Sequence, residues 1–153
     1  MIIDRNAVPQ KIGSAYPSIF QGQVQGRTKQ KVGDAAGLKN FGVNWVTLAP
    51  GAASALRHWH EQQDEFIYVI AGELTLITDE GEQVLTPGMM AGFPAGEANG
   101  HHVVNRSPAN AIYLEVGDRT SPEIAHYPDD DLQARQQDGA WQFTNKAGVV
   151  YST

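Results

Sequence analysis

Two histidines stand two positions apart in the run Arg57-His58-Trp59-His60, and Glu65 follows five residues after the second. Imidazole nitrogens and a carboxylate oxygen together suit first-row divalent metals. On a strand, successive side chains point to opposite faces, so His58 and His60 point one way and Trp59 the other. Glu61 to Asp64 is a short polar run able to turn the chain. Glu65 then opens the apolar run Phe66-Ile67-Tyr68-Val69-Ile70 on the neighbouring antiparallel strand, beside the two imidazoles. Two imidazoles and a carboxylate converging there make a transition-metal site. The alternative, ordinary polar residues at a strand end, accounts less well for a same-face histidine pair with an acid beside it.

A second stretch runs from Gly88 through Pro94, Gly96, His101 and His102 to Asn105. Together the two stretches resemble the cupins, a family of small β-barrels with two short motifs. The first motif corresponds here to Gly51, His58, His60, Glu65 and Gly72, and the second to Gly88, Pro94, Gly96, His101 and Asn105. The chain departs from the pattern by one extra residue between Gly51 and His58 and by two within Glu97 to Gly100. The resemblance spans about Val43 to Gly117. It implies an all-β, single-domain antiparallel barrel or jelly roll. It also implies one divalent transition-metal ion per chain, held by His58, His60, Glu65 and His101. The spacing to Asn105 favours His101 over His102 as the third histidine. A bulge in the Glu97–Gly100 insertion would slip the register by one residue and exchange the two.

Three neutral imidazoles and one carboxylate leave one or two positions open on a five- or six-coordinate ion, where a small organic ligand, water or dioxygen would bind. Fe, Mn, Zn, Ni, Co and Cu all suit this donor set. The leading expectation is a metal-dependent enzyme of dioxygenase, isomerase or lyase type. The alternatives are a non-catalytic binding or sensor module and a sugar or sugar-phosphate isomerase. By parity Ile67, Val69 and Val103 line the ligand face, with Phe93 as a further wall. Arg57 points away from it, so no cation is expected in the pocket, which counts against a phosphorylated substrate. Tyr68, Tyr113 and Glu115 are assigned structural roles. His126 is placed on the surface, and Asn105 either supports the site or caps a loop.

The elements that must position these residues read as short strands: Phe41 to Leu48, Ala55 to His60, Glu65 to Ile70, Leu74 to Thr78, Gln83 to Leu85, Met89 to Phe93, His101 to Asn105 and Ala111 to Val116. Many short strands at regular spacing argue for a barrel or sandwich. Residues 1–40 read as an irregular arm packing on the 41–117 core or on a partner subunit, and 118–153 as an extension folding back on that core or across a dimer interface, all within one domain. Within them Lys29-Gln30-Lys31 reads as a solvated patch, Asp129-Asp130-Asp131 as a turn rather than a calcium loop, and Trp141 to Thr144 as a short strand.

Composition agrees. The 153 residues are 41% hydrophobic and 18% charged, enough for a packed core, and 16 glycines with 8 prolines supply the turns of an all-β chain. A net charge of −6 without basic clusters disfavours nucleic acid as a partner. The absence of cysteine removes thiolate chemistry and disulfides. No signal peptide or membrane span is visible, so the cytoplasm is the expected compartment. A homodimer is the expected assembly, because exposed edge strands and anchors such as Phe20 and Trp141 need cover.

Overall fold

The structure is a computed structural model that describes residues 1–152. Its strands are β1 (Gln10–Ile12), β2 (Arg27–Gln30), β3 (Phe41–Leu48), β4 (Trp59–His60), β5 (Glu65–Ala71), β6 (Leu74–Thr78), β7 (Gly81–Leu85), β8 (Met90–Phe93), β9 (His102–Val104), β10 (Ala111–Asp118), β11 (Glu123–Tyr127), β12 (Leu132–Gln137) and β13 (Ala140–Thr144). A single helical turn, α1 (Val32–Ala35), joins β2 to β3. The strands form three antiparallel sheets, ordered β1-β2-β3-β10-β5-β8, β13-β12-β11-β4 and β7-β6-β9. Among the described residues no helix is long and apolar enough to cross a membrane.

Alternation decides which face is which. On β5, Ile67 and Val69 are buried while Phe66 and Tyr68, which alternate with them, are exposed. On β10, Ala111 and Tyr113 are fully buried and lie opposite Leu48 and Val46 of β3. These residues, with Leu74, Leu76, Leu85 and Val103, form the main core between the six- and three-stranded sheets. Between β5 and β6 the chain turns at Gly72 with φ +76°, where an added Cβ would lie 2.7 Å from the Asn110 carbonyl oxygen. Only glycine fits that turn. Asn105 is fully buried, and its amide nitrogen donates to the carbonyls of Leu48 and Ala109, each at 2.8 Å. Its oxygen accepts from the Ser107 amide and hydroxyl. Three of these four bonds close the 106–110 loop and the fourth ties it to β3, so Asn105 caps that loop.

The arms are more regular than the sequence suggests. β2 pairs with β3 and brings the N-terminal segment into the largest sheet, while β11 pairs with β4 and makes the C-terminal extension the neighbour of His60. Under that sheet a second core gathers Leu56, Ala125, Tyr127, Leu132 and Ala134, with Tyr16, Phe20, Phe143 and Tyr151 packed on it. The strand expected over Ala55 to His60 shortens to Trp59–His60. The carbonyls before it are taken by side chains instead of a ladder: Ser54 by Arg27, Ala55 by His102 and Leu56 by His58.

Candidate metal centre

His60 ends β4 and Glu65 begins β5, so the distance between them is set by the turn 61–64. Buried Glu123 on β11 holds that turn, accepting hydrogen bonds from the backbone amides of Glu61 at 2.9 Å, Gln62 at 3.0 Å and Ile124 at 2.7 Å. At the far end Asp64 receives the Ala95 amide and gives its own amide to Asp118. His58 and His101 lie opposite each other in an isolated antiparallel bridge and exchange both backbone hydrogen bonds. No bulge intrudes at Glu97–Gly100. Those residues form a loop ahead of His101, and the register stays as the Asn105 spacing implies.

Three imidazole nitrogens converge on one carboxylate. The Nε2 atoms of His58, His60 and His101 lie 3.4, 3.5 and 2.7 Å from the Glu65 oxygens. The ligand atoms of His58, His60 and Glu65 all fall within 4.8 Å of one another. Each ring is oriented from behind. His58 Nδ1 donates to the Leu56 carbonyl at 2.7 Å, which turns its Nε2 toward Glu65. His60 Nδ1 lies buried 3.8 Å from Glu123. The His101 ring stacks on Phe93, with centroids 3.6 Å apart. His102 turns away and bonds the Ala55 carbonyl through Nδ1.

Burial would raise the Glu65 carboxyl, but hydrogen bonds from His101, His58 and His60 hold it well below its ordinary value. Burial pushes His101 down and keeps its imidazole neutral. At His60 burial also works downward, but Glu65 and Glu123 outweigh it and the net shift is upward.

The cluster opens into a cavity of about 260 Å³ whose walls include Arg27, Lys29, Glu115, Tyr16 and Tyr127. Sequence reasoning put Lys29 in a solvated patch and gave Glu115 a structural role, and it assigned Arg27, Tyr16 and Tyr127 to no site. Arg27 and Lys29 lie opposite Leu48 and Val46, both core residues, so they share the inner face of the sheet. The expectation that no cation reaches the pocket is therefore wrong. It rested on Arg57, which does point outward, to Asp129 and Asp79, and it treated Lys29 as solvated. The signal was present, since Arg27 and Lys29 are spaced two apart like the histidine pair, but an all-polar strand of four residues does not stand out. Lys29 pairs with Glu115 at 2.7 Å. Burial raises the Glu115 carboxyl, yet the Lys29 charge outweighs it and the net value is lowered. Tyr113 and Glu115 face inward by the same parity as Ala111, while Tyr68 faces out. His126, expected on the surface, is half-buried against Trp59 and bonds Glu61 at 2.7 Å.

The Cupin domain family matches residues 44–117. Over all of this chain and 98% of its own, a sugar phosphate isomerase of the cupin superfamily from Silicibacter pomeroyi is 44% identical, with a TM-score of 0.95. A putative sugar phosphate isomerase from Acidithiobacillus ferrooxidans is 28% identical over 80% of this chain and 78% of its own, with a TM-score of 0.74. A polyketide cyclase from Streptomyces resistomycificus shares the fold at 23% identity over 80% of this chain and 82% of its own, with a TM-score of 0.65. No curated protein matches the chain. With both histidine motifs in place and a relative this similar over its full length, the chain belongs to the cupin superfamily.

Proposed function

We propose that the protein binds one divalent transition-metal ion through His58, His60, Glu65 and His101, and that it isomerises a small phosphorylated sugar. The observation that carries this reading is the convergence of three Nε2 atoms on one carboxylate, in a cavity that also presents Arg27 and Lys29. The donors fit the ion. All three rings present the same nitrogen, the carboxylate carries its charge, and the His58 Nδ1 is already tied off. When bound, a divalent ion polarises a substrate carbonyl or hydroxyl as a Lewis acid. The chain's own groups do the rest. Arg27 spends three of its five N–H groups on the Gly13 and Ser54 carbonyls, leaving one on each terminal nitrogen for a phosphate. Lys29 keeps two N–H bonds beyond its one to Glu115. Tyr16 and Tyr127 are pushed up by burial and stay neutral phenols beside the sugar hydroxyls. The name of the Silicibacter relative supports the same substrate class.

The test is elemental analysis of the purified protein, followed by an isomerase assay of the metal-loaded form on three- to six-carbon aldose phosphates. Turnover that chelation removes supports the reading. Bound metal with no turnover of any sugar phosphate makes the protein a binding module instead.

The reading extends to a homodimer formed through the outer face of the six-stranded sheet, where Phe66, Tyr68 and Met90 stand exposed on adjacent strands. Light scattering at micromolar concentration is expected to give twice the 16.6 kDa chain mass. A Phe66→Glu, Tyr68→Glu variant is expected to shift toward the monomer, because it places charges in the desolvated centre of such a contact. A wild-type monomer counts against the assembly.

A further inference from the structure

Glu115 is an acid in the site cavity that the metal set does not use. It sits on β10 opposite Ile67 of β5, while Glu65 sits opposite Gly117. The two carboxylates are thus diagonal neighbours on one face, their backbone positions about 7–8 Å apart. Glu115 lines the 260 Å³ cavity, and also a smaller one of about 30 Å³ shared with His58, Glu65, His101 and Tyr113. Its two oxygens differ. Oε1 accepts from Lys29 Nζ at 2.7 Å and from Asn44 Nδ2 at 3.0 Å, whereas Oε2 accepts from nothing among the described residues. Glu65, by contrast, has both oxygens engaged by histidines.

We propose that Glu115 is the catalytic base of the isomerisation, with Oε1 anchored by Lys29 and Asn44 and Oε2 presented to the substrate. The proposal rests on the isomerase reading above. Oε2 takes the proton from C2 of the aldose. The C2–H electron pair becomes the C1=C2 bond, and the carbonyl pair moves onto O1. The Glu115 carboxylic acid then returns that proton to C1, whose new bond draws on the C1=C2 pair. The O2 proton passes to O1 and the O2 pair closes C2=O. The proton count balances, and nothing is oxidised overall. Tyr113 cannot take this role, because burial holds its phenol well above its ordinary value and so protonated. The anchors matter because a base acts only from within hydrogen-bond reach of the proton it removes, and a carboxylate fixed at one oxygen has a single remaining swing.

The test compares metal-loaded wild type with Glu115→Gln, which keeps the shape and removes the base, and with Glu115→Asp, which keeps the carboxylate but draws it back. Glu115→Gln is expected to lower kcat about 10²–10⁴-fold. Metal content and melting curve should stay near those of the wild type. Affinity for the matching sugar-alcohol phosphate, which lacks the C1 carbonyl that makes the C2 proton removable, should stay within about threefold. Glu115→Asp is expected to fall between. Glu115→Gln turning over within about threefold of wild type overturns the proposal, as does a loss that tracks lost metal or lost folding in both variants. Absence of turnover in the wild type itself overturns the isomerase reading and the base together, and is told apart by that control.

Discussion

Replacing His58 and His60 together with alanine is expected to abolish transition-metal binding, with metal content falling from about one ion per chain to background. The structure explains the size of the effect. Both rings present Nε2 to the same carboxylate, and removing them takes away half of the proposed four-donor set. Losing a single group that merely orients a ligand typically costs ten- to a hundredfold in metal affinity; losing two ligands outright costs far more. His101→Ala alone is expected to lose most of the metal, because its nitrogen makes the closest approach to Glu65. His102→Ala is the control. Its side chain bonds the Ala55 carbonyl and stays out of the cluster, so metal should be retained with a modest loss of stability. Thermal unfolding gives an independent reading, since a ligand at a hundred times its Kd adds about 2.7 kcal/mol. Metal addition should raise the wild-type Tm and leave that of the double variant where it is. Equal metal in both proteins, or loss with His102→Ala and retention with His101→Ala, would sink the assignment.

The His58–His60–Glu65 cluster was legible in the sequence because its residues are short-range and rare in that pattern. His58, His60 and Glu65 lie within eight positions; strand parity puts the two histidines on one side, and the polar turn 61–64 brings Glu65 back beside them. The inward Ile67, Val69 and Val103 follow from the same rule, and all three are buried. His101 needed the family motif, since nothing local shows that its strand lies against His58. The rest of the cavity was hidden for a physical reason. Arg27 and Lys29 enter the sheet because β2 pairs with β3, a long-range pairing that a short polar strand does not announce. β11 and β12 alternate buried and half-buried residues, but acids, amides and prolines around them mask the period. Glu115 reads as structural until β10 is seen to have Lys29 within reach across β3.

Glu123→Ala is expected to be the most destabilising single change outside the two motifs, and to weaken metal binding without touching a ligand. The Glu123 side chain is wholly buried and accepts three backbone N–H groups, two of them in the turn between His60 and Glu65. Alanine leaves three donors without an acceptor, at about 1–3 kcal/mol for each that stays dry. The sum, on the order of 3–9 kcal/mol if all three stay dry, is a large part of the 5–15 kcal/mol that typically holds a domain folded. The metal effect follows from the same bonds. Glu123 fixes the turn that sets the His60–Glu65 spacing and lies 3.8 Å behind His60 Nδ1, so its loss frees a ring that has no other partner on that side. A ten- to hundredfold weaker Kd is expected, the range seen when a group that orients a ligand is removed. Glu123→Gln separates the two effects if alanine prevents folding. It keeps one acceptor and turns an N–H₂ toward a donor, so it should retain part of the stability and still loosen His60. Urea unfolding paired with metal titration reads both quantities. A Glu123→Ala protein within about 1 kcal/mol of wild type, or a Glu123→Gln protein with unchanged metal affinity, would show that β11 only covers the centre and does not set its geometry.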